Sequence, residues 1–185
     1  MQKAPQDPRA SEPTRALKVT LKQDDLANLL IDQLGERRWQ VASAESCSAG
    51  RIGQKLAAAK GASKTYAGGV IAYTKETKNR VLGVPAELMS RPEGAVSEEV
   101  AIAMAEGVLQ LTGVAIAVAT TGVAGPSPDE DGNPVGRIVV AIARAGRKSE
   151  AQRFDYGECA CDDILNWTVD AALMMLARHL AAAPE

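Results

Sequence analysis

A chain of 185 residues that is 46% apolar but only 3% aromatic can bury one domain-sized core, and that core must be aliphatic. A net charge of −2 gives no electrostatic case for binding nucleic acid or an anionic membrane surface. No apolar run approaches the roughly 20 residues that span a bilayer, and the opening MQKAPQDPRASEPTR lacks the apolar stretch of a signal peptide, so a cytoplasmic protein is expected.

Residues 1–19 are rich in Pro, Gln, Asp, Arg and Ser and read as a flexible tail, leaving 20–185 as one domain. From Gln23 to Glu36 the leucines Leu26, Leu29, Leu30 and Leu34 recur at helical spacing, with Gly35 near the end. Trp39–Ala44 is a short apolar strand. Arg51–Lys60 reads as a helix closed near Gly61. Val70–Tyr73 is a second strand, and Thr74 caps a helix over Lys75–Leu82. Ser97-Glu98-Glu99 opens a helix that runs to about Leu111, because the serine can cap and the acids suit the positive end of the helix dipole. Val114–Ala119 is a buried strand bounded by Gly113 and a Thr120-Thr121-Gly122 turn, and residues 120–134 form a long loop. Ile138–Ala143 and Ala151–Phe154 pair through the polar turn Ala145–Lys148, and a last helix covers Asp162–Leu180. Strands alternating with helices predict an α/β protein, a three-layer α/β/α sandwich. Its sheet is mixed but mostly parallel, with one antiparallel hairpin near the end.

In such a sheet, ligands bind where the carboxyl ends of strands pass into helices. Three segments fall there. The first is Ala44-Glu45-Ser46-Cys47-Ser48-Ala49-Gly50. Ser46 or Ser48 can be a simple N-cap, or the unpaired N–H groups of the turn can serve a phosphate or a developing oxyanion beside a nucleophilic serine. Cys47 is the other nucleophile on offer, but the one histidine, His179, lies far along the chain, so a Cys–His pair and a Ser–His–Asp triad are both disfavoured. A serine here needs another base. The second segment, Tyr73-Thr74-Lys75-Glu76-Thr77-Lys78, offers a lysine whose pKa burial can depress, alone or through a tyrosine. Against that, Lys78 is an ordinary solvated helix lysine and Tyr73 a packed ring. The third, Thr120-Thr121-Gly122-Val123-Ala124-Gly125-Pro126, has pliable backbone whose N–H groups suit a ribose or phosphate. Asp129, Glu130 and Asp131 read as a solvated loop tip. With Cys159 and Cys161 as a C-x-C and one distant histidine, no tetrahedral metal set is apparent, and neither a metal nor a cofactor is expected.

Taken together and in order, AESCSAG, VIAYTKETKNRVLGVP, EGAVSEEVA and TTGVAGPSPDEDGNPVG resemble the CinA C-terminal-domain family, the nicotinamide-nucleotide amidases. The resemblance covers about residues 24–180 and lacks a counterpart of the larger N-terminal domain of many members, so the chain reads as the stand-alone form. It implies hydrolysis of nicotinamide mononucleotide to nicotinic acid mononucleotide and ammonia without a metal, in a dimer, with that small-molecule nucleotide as the partner. It also implies that Ser46 is the nucleophile and that Tyr73 and Lys78, matching Y-[ST]-x-x-x-K, take its proton, so Lys75 is passed over. The N–H groups around Cys47–Gly50 would hold the oxyanion. Glu45 either pairs with the pyridinium or orients the loop, and Thr120, Thr121, Gly122, Gly125 and Pro126 contact the ribose phosphate. Two departures stand out. ESCSAG replaces ESCTGG, and Asn133 replaces a frequent lysine, which lowers the expected affinity for phosphate. A non-catalytic nucleotide-binding or regulatory module, tied to competence or DNA damage, is the alternative.

Overall fold

The aliphatic runs assemble into one five-stranded sheet in the computed structural model, which describes residues 22–182. The expected tail, residues 1–19, lies outside the described residues. The strands are β1 (Val41–Glu45), β2 (Tyr66–Ile71), β3 (Ile116–Gly122), β4 (Arg137–Arg144) and β5 (Glu150–Asp155), in the spatial order β2-β1-β3-β4-β5. β1 pairs in parallel with both β2 and β3, whereas β3 with β4 and β4 with β5 are antiparallel. Four strands therefore point one way and β4 runs against them. The β3–β4 pairing is a second antiparallel contact beyond the expected hairpin. Residues 123–136 return the chain without the helical crossover that a parallel neighbour needs.

The helices are α1 (Gln23–Glu36), α2 (Arg51–Ala58), α3 (Ala62–Thr65), α4 (Lys75–Leu82), α5 (Ala86–Met89), α6 (Glu98–Thr112) and α7 (Cys161–Ala181). α6 lies across one face of the sheet and carries α4 and α5. α2 and α7 cover the other face, with α1 packed on both. That is the expected three-layer sandwich. β1 and nearly all of β3 are buried, as strands covered on both faces should be. The buried core is Ala, Val, Leu, Ile and Met, without an aromatic ring among the described residues.

Two expected caps are present. Thr74 Oγ1 accepts the Thr77 N–H at 3.1 Å and Ser97 Oγ accepts that of Val100 at 3.2 Å. The largest strand-boundary shifts are in β2 and β3. β2 begins at Tyr66, four residues before the expected Val70, because the Gly68-Gly69 pair lies inside the strand. Gly68 takes φ +127° at a register shift against β1, and a Cβ at Gly69 would collide with the Ser43 hydroxyl. β3 continues through Thr120, Thr121 and Gly122, which were expected to turn. The pairing of Thr120 with both Glu45 and Val140 keeps them extended.

Candidate active site

β1 ends on Glu45, and the chain then makes a tight turn into α2. Ala49 (φ +50°) and Gly50 (φ +96°) are both left-handed. That turn aims the first amides of α2 back at Glu45. Its Oε2 accepts from Gly50 N (2.9 Å), Ile52 N (3.1 Å) and Ser48 Oγ (2.7 Å), and its Oε1 from Gly53 N (2.8 Å) and Ser43 Oγ (3.1 Å). Ser43 and Ser48 spend their only hydrogens on this carboxylate, so the Tyr66 hydroxyl donates to Ser43 (3.0 Å) and the Thr120 hydroxyl to Ser48 (2.7 Å). The cap of α2 is thus a carboxylate, and neither Ser46 nor Ser48 performs the capping expected of it.

Ser46 is freed by this arrangement. Its N–H is tied to Thr120 O at 3.0 Å, which fixes the turn to β3. Its Oγ receives a hydrogen bond from Lys78 Nζ at 2.8 Å. Lys78 lies on the inner face of α4, is 2% exposed, and also donates to the Tyr73 carbonyl at 3.2 Å. Burial pushes the Lys78 ammonium down to about 8, and the nearby Lys75 ammonium pushes the same way. Burial pushes the Cys47 thiol up to about 12. At neutral pH it is a thiol rather than a thiolate, which weighs against a cysteine nucleophile. His179 sits 3.4 Å from Glu150 and does not line the cleft.

Tyr73 departs from expectation. Its neighbour Ala72 is fully buried, so alternation turns the Tyr73 ring outward, where it is 71% exposed. It reaches Lys78 through its backbone carbonyl, and no phenol stands between Lys78 and Ser46.

Around this pair is a cleft of about 570 Å³ at the carboxyl ends of β1, β2 and β3. That volume lies within the roughly 300–1,000 Å³ of small-ligand sites. Of the expected residues, Ser46, Cys47, Ala49, Tyr73, Lys78, Thr121, Gly122 and Gly125 line it. Glu45, Ser48, Gly50 and Thr120 stand behind the wall, and Pro126 is outside the lining. Glu45, 1% exposed with five donors, orients the loop and leaves no face for a pyridinium. Thr121 Oγ1 donates to Ala95 O at 2.7 Å, so its hydrogen is spent inside the protein. Asn133 is buried, ties Asp129 to Glu93 and accepts from Arg137, and does not line the cleft.

Lys75, Cys161 and Leu165 line the cleft without having been expected there, and so do Asp129, Glu130 and Asp131, which were expected at a solvated loop tip. Lys75 was legible in principle, since i and i+3 share a helix face and Lys78 was already a candidate. The others are brought in by tertiary packing alone. Among the described residues no three His, Cys, Asp or Glu side chains cluster as metal ligands, and no helix is long and apolar enough to cross a membrane.

Comparison with known proteins gives a consistent picture. Residues 23–180 match the CinA C-terminal domain. A CinA-like protein of Gemmatimonas aurantiaca is 50% identical over 119 residues, covering 64% of this chain and 28% of that protein. A putative competence-damage inducible protein of Desulforamulus reducens is 47% identical over 140 residues, 75% of this chain and 33% of that protein. The chain spans about a third of the length of the curated relatives it matches. Among solved structures, the competence damage-inducible protein A of Klebsiella pneumoniae superposes with a TM-score of 0.83 at 32% identity, covering 89% of this chain and 100% of that one. The CinA superfamily protein of Escherichia coli superposes at 0.82 with 29% identity, covering 88% and 93%.

Proposed function

The chain belongs to the CinA C-terminal-domain family, and from that premise we propose that it is a serine amidase that hydrolyses the carboxamide of nicotinamide mononucleotide. The observation that carries this reading is the 2.8 Å hydrogen bond between Lys78 Nζ and Ser46 Oγ, made by a buried lysine with no carboxylate among its hydrogen-bond partners in the described residues. A lysine so placed loses its proton near neutrality and can accept one from a hydroxyl.

Neutral Lys78 takes the Ser46 proton as Oγ attacks the carboxamide carbon, and the carbonyl electron pair moves onto oxygen. The Cys47 and Ser48 N–H groups meet only the weakly accepting Cys47 sulfur among the described residues, which supports them as receivers of that oxyanion. The Lys78 ammonium then returns the proton to the departing nitrogen, and ammonia leaves an acyl-Ser46. Water, deprotonated by Lys78, cleaves the ester and releases the acid. The test is ammonia release from nicotinamide mononucleotide by the purified protein, with Ser46→Ala alongside. Turnover in the wild type and none in the variant supports the amidase. Ligand binding without turnover in the wild type would favour a nucleotide-binding module.

The base must be unprotonated to act, so the expected pH profile has a definite sign. With Lys78 at about 8, only about a tenth of it is neutral at pH 7. kcat/KM should therefore climb through pH 7–8 and level off above. Rates of ammonia release from pH 6 to 9.5 check this, and a flat or falling profile across that window contradicts a lysine base.

Because Tyr73 meets Lys78 only through its carbonyl, Tyr73→Phe should keep kcat within about threefold, far less than the 10²–10⁴-fold of a lost proton-transfer group. A 10²-fold loss of kcat in that variant would restore the phenol to the proton path.

A further inference from the structure

The amidase reading uses Ser46 and Lys78 but leaves one charged feature of the cleft unexplained. Lys75 Nζ stands against two carboxylates of the 123–136 loop, at 2.7 Å from Asp131 Oδ2 and 3.1 Å from Glu130 Oε1. All three side chains line the cleft. Apart from Lys78, Lys75 is the only basic residue among the described residues that line the cleft, and Lys78 is already turned to Ser46 and the Tyr73 carbonyl. A ligand anion entering this cleft has one ammonium to meet and must win it from carboxylates.

The two carboxylates are not equally free to yield. Asp131 is held in place: a Cβ at Gly94 would collide with its carboxylate, and its N–H donates to Asp129 Oδ1 at 3.1 Å. Asp129 is itself locked by Asn133, whose N–H and Nδ2 donate to it at 2.7 and 2.8 Å. Glu130 has a side chain that is 75% exposed and a single contact to Lys75, so it can swing into water at small cost. A phosphate also outbids a carboxylate, because it brings more charge and a third acceptor oxygen to the same ammonium.

Resting on the amidase reading, we propose that Lys75 is the residue that selects a phosphomonoester on the substrate. The phosphate takes the place of Glu130 on Lys75, while Asp131 stays in place and limits how tightly the anion is held. Lys75 thus acts on specificity, one helical turn from the base that acts on rate.

The test compares ammonia release from nicotinamide mononucleotide and from its dephosphorylated nucleoside, and separately the calorimetric binding of ribose 5-phosphate, which requires no turnover. In Lys75→Met the ratio of kcat/KM for nucleotide over nucleoside should fall about tenfold, the worth of one lost charge-assisted hydrogen bond. In Glu130→Gln, which removes a competitor and leaves the ammonium, the ratio should rise a few-fold. Ribose 5-phosphate affinity should move the same way in each. An unchanged ratio in Lys75→Met, or equal losses on both substrates, overturns the assignment. So does ribose 5-phosphate binding that is absent from the wild type or indifferent to Lys75→Met. If neither substrate is turned over but ribose 5-phosphate binding is lost in Lys75→Met, the anion site stands and the amidase reading falls.

Discussion

A Lys78→Met protein is expected to lose ammonia release by about 10³-fold or more while becoming more stable. Under the proposed mechanism, the activity loss follows from removing the group that takes and returns the Ser46 proton. The gain in stability follows from burial. Folding moves the ammonium from 10.5 to about 8, so the folded state binds the proton less well than the unfolded chain does. The penalty is present in full below about 8 and fades as pH rises from there toward 10.5. At pH 7 that difference corresponds to a cost of about 3 kcal/mol. Methionine fills a similar volume without charge, but leaves Ser46 Oγ and the Tyr73 carbonyl without their donor, so a net gain of about 1–2 kcal/mol is expected. Thermal unfolding at pH 7 should show a midpoint several degrees higher, and the gap to wild type should shrink by pH 10. A lower midpoint together with lost activity would mean that Lys78 holds the fold rather than serving chemistry.

The second large effect is expected at Glu45, where chemistry and stability should fall together. Glu45→Gln puts an NH₂ in place of one oxygen, so either the Gly50 and Ile52 amides or the Gly53 amide lose their acceptor in a buried place. Bonds to an ionised acceptor are the strong kind, and breaking this set should cost about 3–5 kcal/mol. That is a large part of the 5–15 kcal/mol typical of a domain. The Ser46 turn is built on the same contacts, so ammonia release measured on the folded fraction should also drop, by about tenfold or more, as Ser46 Oγ loses its fixed position. Urea unfolding and kcat on the same preparation check both halves. A loss of stability with unchanged kcat would make Glu45 scaffold alone.

These two residues show how unevenly the sequence could be read. Lys78 was reachable from the chain because the family pattern names its spacing, and Ser46 because three small hydroxyl and thiol residues precede a helix. The role of Glu45 was only half legible. A carboxylate before a serine suits either a cation or a loop, and the choice depends on where the α2 amides point. Tyr73 was read as part of the proton path because it lies in the same pattern, but the alternation set by buried Ala72 turns its ring away. β2 was clipped because two consecutive glycines suggest a break unless a neighbouring strand is known to press against them.

What the sequence determined by itself is much of what acts within about one turn or one pleat. That covers the five longer helices with the Thr74 and Ser97 caps, the presence of the five strands, the layered α/β class and the family. These features repeat every two or 3.6 residues and need no partner from elsewhere in the chain. What only the tertiary structure decided is which polar groups meet across the sheet. Ser46 reaches Lys78 over 32 residues, Ser48 reaches Thr120 over 72, and Lys75 reaches Asp131 over 56. Such contacts depend on strand order, register and the path of a long loop. Each is set by the packing of the whole core, so no local pattern can encode it.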